Sequence, residues 1–186
     1  MLTIATACSS FAPPAGKWSR GTDRVGAVQM GLAVGEKFPA PKSWGIGGKK
    51  AVVFFYGADD APSCSKELAA FDSALPEFKS KGATLVGVRN AAGAKGADEQ
   101  YPALKVVVDE DDSVRTQVGI EKDLFGLLGG RETYVLDKSG KVVSVHNNQF
   151  GPETHVSTAL DALESMPADA GFSFPTIDLG ALFDSK

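Results

Sequence analysis

Apolar residues crowd into a few short runs along this chain, and the spacing within each run sets the element it predicts. Ala51, Val52, Val53, Phe54, Phe55 and Tyr56 are unbroken by any polar residue. The run is too short to cross a membrane and too rich in β-branched and aromatic side chains for a helix, so it predicts a strand covered on both faces. Gly57, Asp59, Asp60 and Pro62 then form a turn. Beyond it Leu68, Phe71, Leu75 and Phe78 recur at near-helical spacing, which predicts a helix with Ser63 as its N-cap. Ala83 to Arg89 predicts a second strand, parallel to the first, completing a βαβ unit. Asn90 to Gln100 stands where a helical connection would be expected, yet it is short and broken by Gly93 and Gly96. Lys105 to Asp109 predicts a brief third strand and Asp112 to Val118 a short helix. Glu132 to His146 predicts a hairpin turning at Lys138, Ser139 and Gly140. The closing helix runs from Pro152 to Met166, with Val156, Leu160 and Leu163 as its apolar face.

This pattern places one folded domain at residues 31–167. Its lead-in, Gly31 to Trp44, carries Gly and Pro with few apolar repeats and should pack Phe38 and Trp44 against the domain. Residues 1–30 differ in composition, with repeated Ser and Thr and with Lys17, Arg20 and Arg24 against a single acid, Asp23. That basic, hydroxylated character is expected of a targeting presequence, with the mature chain starting near Met30 or Gly31. Residues 168–186 are expected to be an extension; its apolar part, Gly171 to Phe183, is expected to dock onto the domain or onto a partner.

Charge and cysteine content narrow the chemistry. A net charge of −4 over 186 residues, with no basic stripe, excludes a nucleic-acid binder. Two cysteines, Cys8 and Cys64, make neither a disulfide framework nor a metal site. Cys8 falls in the presequence, which leaves Cys64 as the thiol of the domain. A lone cysteine is most often a small buried hydrophobe, but Cys64 sits in the first turn of the predicted helix. There the unpaired N–H groups and the positive end of the helix dipole favour an anion such as a thiolate, so Cys64 is a candidate nucleophile. His146 and His155 lie apart in sequence, without partners at ligand spacing, and predict no metal site. Asp109 to Asp112 should cap the helix that follows, Lys66 and Glu67 should be solvated on their helix face, and Asp60 could meet a partner.

Strand, helix, strand, hairpin and closing helix is the order of an α/β thioredoxin-like sandwich, a central mixed sheet flanked by helices. Within that class the chain resembles the peroxiredoxin Q branch, also called the bacterioferritin comigratory protein group. That family writes its site as Tyr-Pro, two or three polar residues, then Thr-Pro-Gly-Cys-Thr. Here the register reads Tyr56-Gly57-Ala58-Asp59-Asp60-Ala61-Pro62-Ser63-Cys64-Ser65. The blocks Asp123 to Lys138, containing Gly129-Gly130-Arg131, and Asn147 to His155 resemble plant plastid members in particular.

The resemblance, from about Val34 to Met166, implies a thiol peroxidase. Cys64 would attack a peroxide, with Arg131 stabilising thiolate and peroxide and with Gly57, Ala61, Pro62 and Ser63 forming the peroxide pocket. Hydrogen peroxide and organic hydroperoxides are the implied substrates, thioredoxin or another small thiol the implied reductant, and no cofactor or metal is implied. Ala69 occupies the position of the resolving cysteine, so a one-cysteine cycle through a sulfenic acid is expected. Gly57 replaces the proline that shields the pocket, and Ala61 replaces the threonine whose hydroxyl contacts peroxide. The alternative is therefore a weakened peroxiredoxin-fold redox sensor or binding protein. A disulfide reductase ranks behind both, since there is no Cys-x-x-Cys. A monomer is expected, in the plastid of an alga with complex plastids, in the stroma or at the thylakoid through the C-terminal tail.

Overall fold

Six apolar residues in a row need cover on both sides, and a central position in a sheet supplies it. In the computed structural model, which describes residues 31–122 and 129–166, β1 (Lys50–Phe55) is the middle strand of a five-stranded sheet of order β3-β2-β1-β4-β5. β1 pairs in parallel with β2 (Ala83–Arg89), which pairs in parallel with β3 (Lys105–Val108). On its other side β1 runs antiparallel to β4 (Glu132–Leu136), which turns through the expected hairpin into β5 (Val142–Asn147). The presequence, Cys8, the start of the Asp123 block and the C-terminal extension lie outside the described residues.

Alternation along β1 divides the core into two layers. Val52, Phe54 and Tyr56 face α1 (Pro62–Ser80) and α4 (Thr154–Ser165), where they meet Leu68, Phe71, Phe78 and Leu163. Ala51, Val53 and Phe55 face Phe38, Trp44, Val114 and Tyr134, supplied by the lead-in, by α3 (Ser113–Gln117) and by β4. Phe38 and Trp44 are thus buried, as the lead-in requires. Phe54 stacks on Phe71 with ring centroids 4.0 Å apart. On the neighbouring strand a Cβ at Gly87 would fall 2.6 Å from the Phe54 ring, so the glycine makes room for that stack.

Local chemistry explains where the elements depart from their predicted bounds. The closing helix begins at Thr154, and its buried stripe is His155, Ala159 and Leu163, while Val156 and Leu160 are half-buried beside it. A polar residue leads that stripe, which hid its phase. Between β2 and β3 there is a single turn of helix, α2 (Ala97–Gln100). Asp109 caps α3, accepting from the N–H groups of Val114 and Arg115 and from the Ser113 hydroxyl. Asp112 instead occupies the left-handed region at φ 54° and turns its carboxylate to Arg115.

The Phe54–Phe71 stack carries a stability prediction. Phe71→Ala should lower the unfolding free energy by about 3–5 kcal/mol, read from the midpoint shift in urea at unchanged m-value. A shift below ~1 kcal/mol would mean that α1 is not anchored to β1 there.

Candidate active site

The loop from Gly57 to Ala61 must be held rigid if the helix behind it is to present a side chain, and Asp59 does the holding. Its carboxylate is buried and accepts from the Tyr56 hydroxyl at 2.8 Å and from the N–H groups of Lys95 and Ala97 at 2.7 and 3.0 Å, with Arg89 Nε at 2.9 Å. Burial alone would push this carboxyl up; the two backbone N–H groups, the tyrosine and the arginine outweigh it and hold the group below its ordinary value. A second tie is steric, because Gly93 lies so close against the Gly57 carbonyl that a Cβ there would collide with it.

Helix α1 starts two residues earlier than the sequence suggests. Ala61 is the N-cap, extended at ψ 129° with no side-chain cap, and Pro62 follows at the first helical position. The fixed φ of proline suits that position, so Ser63 is not the cap; its Oγ accepts instead from Arg131 Nη2 at 3.0 Å. Pro62 is exposed and does not line the cavity. Ser65 uses its hydroxyl on the carbonyls of Asp59 and Ala61. Cys64 lies in the first turn, 4% exposed.

Arg131 reaches this turn from the start of β4. Gly130 before it packs against the Glu121 carbonyl with no room for a Cβ. The Arg131 side chain is 1% exposed, and its Nη2 stands 3.4 Å from Cys64 Sγ while Nη1 donates to the Ser63 carbonyl. Its Nε lies 3.2 Å from Glu67 Oε2. Glu67 is therefore not solvated: three residues after Cys64 it shares that face of the helix and is fully buried, whereas Lys66 is exposed. Burial pushes the Glu67 carboxyl up to about 8 against the pull of Arg131, so at neutral pH its protonated form predominates.

Behind Glu67 stands His155, with Nδ1 3.8 Å from Glu67 Oε1. Its Nε2 faces the Asn148 carbonyl at 2.9 Å, which can only accept, so Nε2 carries the proton and Nδ1 accepts from the Thr133 hydroxyl at 2.8 Å. Burial drives this imidazole down to about 4. The two histidines, distant in sequence, meet edge to face with centroids 4.6 Å apart. Among the described residues no group of three potential metal ligands forms.

A cavity of about 340 Å³ opens over Cys64, lined by Gly57, Ala61, Ser63, Arg115, Lys122 and Gly129 among others. A Cβ at Gly57 would meet Cys64 Sγ at 3.8 Å, so glycine leaves that flank of the sulfur uncovered. Ala69 is exposed on α1, as is Asp60 in the loop. Arg115 went unnoticed in the sequence, where an arginine in a short polar helix looks solvated. It is buried, donating to the carbonyls of Tyr56 and Gly130 at 2.8 and 2.5 Å, pairing with Asp112 and lying 5.3 Å from the centre of the Phe55 ring.

A family model described as the AhpC/TSA family matches residues 36–145, more than half of the chain. This chain belongs to the AhpC/TSA family. It is 43% identical over 122 residues to chloroplastic peroxiredoxin Q of Sedum lineare, covering 64% of this chain and 66% of that protein. It spans from 54% to 66% of the length of the curated relatives it matches. Peroxidoxin BcpB of Mycobacterium tuberculosis shares the fold at TM-score 0.64 and 24% identity, covering 74% of this chain and 99% of that one. The bacterioferritin comigratory protein of Xanthomonas campestris does so at TM-score 0.56 and 28% identity, covering 64% and 79%. The resemblance to the peroxiredoxin Q branch and the thioredoxin-like mixed sheet therefore hold for this AhpC/TSA-family chain.

The buried Glu67–His155 pair gives a pH prediction. Glu67 rises from an ordinary 4.5 to about 8 on folding, so its protonation contributes stability below pH 4.5 that is lost as pH climbs through 8. His155 falls from 6.5 to about 4, so the stability it contributes is lost as pH drops below 6.5. The two oppose each other between pH 4.5 and 6.5. Above 6.5 only Glu67 acts, and unfolding free energy should fall toward pH 8, at up to ~1.4 kcal/mol per pH unit. Urea titrations of Glu67→Gln should show that fall largely removed; an equally steep fall in the variant would locate its cause elsewhere.

Proposed function

We propose that this chain is a thiol peroxidase with Cys64 as its nucleophile. The observation that carries this reading is the 3.4 Å contact between Arg131 Nη2 and Cys64 Sγ, in the first turn of α1 and at the wall of an open cavity. Only a thiolate attacks, and a cation at that distance is placed to hold one. The sulfur attacks the terminal oxygen of a hydroperoxide. An S–O bond forms, the O–O bond breaks, sulfur gives up two electrons, and the leaving oxygen takes a proton from solvent to become an alcohol or water. Cys64 is left as a sulfenic acid, which an external thiol returns to the thiol through a mixed disulfide. The names of the curated relatives support a peroxidase, as does the alkyl peroxide reduction activity reported for the Xanthomonas protein.

Finer points of the same reading follow from the chain itself. Ala69 offers no sulfur, so the cycle uses one cysteine, with thioredoxin or a small thiol as reductant. Chloroplastic names among the relatives support a plastid location. The second reading, a redox sensor that reacts slowly, draws on Ala61, whose methyl leaves the N-cap without a hydroxyl, and on the open flank at Gly57.

Two variants of the full chain test the proposal. With Cys8→Ser in place, equimolar hydrogen peroxide should add one oxygen to Cys64, seen by intact mass, and turnover with a thioredoxin system should persist. Loss of turnover in Cys8→Ser would sink the one-cysteine cycle. Arg131→Ala should slow the peroxide step by about 10²–10³; an unchanged rate would remove Arg131 from the mechanism.

A further inference from the structure

We propose that the Ser63 hydroxyl is a catalytic group, donating a hydrogen bond to the leaving oxygen of the peroxide. The inference rests on the peroxidase reading above. Its basis is a single shared nitrogen: Arg131 Nη2 reaches Ser63 Oγ at 3.0 Å and Cys64 Sγ at 3.4 Å. The hydroxyl and the sulfur are therefore held side by side by one donor, and both line the same cavity. Accepting from an arginine has a directional consequence. A guanidinium has no lone pair to offer in return, so the Ser63 hydroxyl proton must point away from Arg131. Among the described residues no acceptor receives it.

Asn90, Lys122 and Gln149 also bring donors to the cavity, but only Ser63 is bonded to the nitrogen that holds the Cys64 sulfur. Among the described residues that line the cavity, Ser63 carries the only hydroxyl. Ala61 has a methyl at the N-cap, and Ser65 spends its proton on the carbonyls of Asp59 and Ala61. Arg115 is engaged by the carbonyls of Tyr56 and Gly130 and by Asp112. When Cys64 attacks one peroxide oxygen, negative charge grows on the other as the O–O bond lengthens. A hydroxyl already polarised by a guanidinium is a stronger donor than an isolated one, and, held by the same nitrogen as the sulfur, it is placed to meet that charge. The departing hydroxide or alkoxide then takes a proton from solvent to become water or alcohol, and Ser63 ends as it began.

Single-turnover oxidation of Cys64 is measured in the full chain by quench and intact mass, with hydrogen peroxide and with peracetic acid. Iodoacetamide alkylation of Cys64 serves as a reading of the thiolate alone. Ser63→Ala should slow hydrogen peroxide by about tenfold to a hundredfold, somewhat less than a fully buried oxyanion donor because Ser63 is exposed. The loss should shrink with peracetic acid, whose acetate leaving group spreads its own charge. Alkylation should stay within about twofold, and Ser63→Thr, which keeps the hydroxyl, should restore most of the peroxide rate. An unchanged peroxide rate in Ser63→Ala overturns the proposal. So does a parallel loss in alkylation or an equal loss with both oxidants, since either would mean that Ser63 acts only by placing Arg131. A wild type no faster than free cysteine overturns the peroxidase reading and this one with it.

Discussion

A guanidinium with 1% of its surface exposed is a charge that must be answered from within the protein. Arg131 is that charge, and the site is built as its answer. The Ser63 carbonyl and hydroxyl take two of its donors, Glu67 stands against Nε, and the Cys64 sulfur is the remaining neighbour. Burial keeps Glu67 mostly protonated near neutrality, so the arginine is answered chiefly by its bonds to Ser63, with the Cys64 sulfur beside it.

Such a balance works only if two chain segments stay in register. Cys64 follows the C-terminal end of β1 and Arg131 precedes β4, and these strands are antiparallel neighbours, with Phe55 paired to Glu132. Arg115 joins the same two segments, one arm on the Tyr56 carbonyl and the other on that of Gly130. It acts as a clamp across the gap where the strands diverge. Asp59 with Arg89 makes a corresponding tie to the β2 side. The active loop is thereby fixed from both directions by buried charge-assisted bonds.

Much of this was legible in the chain. The run Ala51 to Tyr56 required a central strand, the hairpin turn was written in Lys138-Ser139-Gly140, and Cys64 with Arg131 followed from motif blocks. What escaped shares one cause: polar side chains that serve the interior. Glu67, Arg115 and His155 look solvated to any rule that sorts residues by polarity, and each is buried because a partner distant in sequence receives it. Ser63 was misplaced for a different reason. Serine before a helical run is a good N-cap in general, but Pro62 started the helix earlier and released the hydroxyl for Arg131.

Ala69 has a mechanical consequence. It lies five residues beyond Cys64 on α1, and five residues of helix climb about 7.5 Å along the axis. A sulfur placed there could not reach Cys64 without undoing the first turns, since bridged Cα atoms sit within roughly 6.8 Å of one another. In the one-cysteine cycle proposed above, with alanine in that position, nothing asks the helix to come apart. The dipole and the N–H groups that face Cys64 can then persist through every state of the sulfur. Under that proposed cycle, stiffening α1 would cost no turnover, whereas a protein that must melt the helix to close a disulfide would slow with each kilocalorie of added stability.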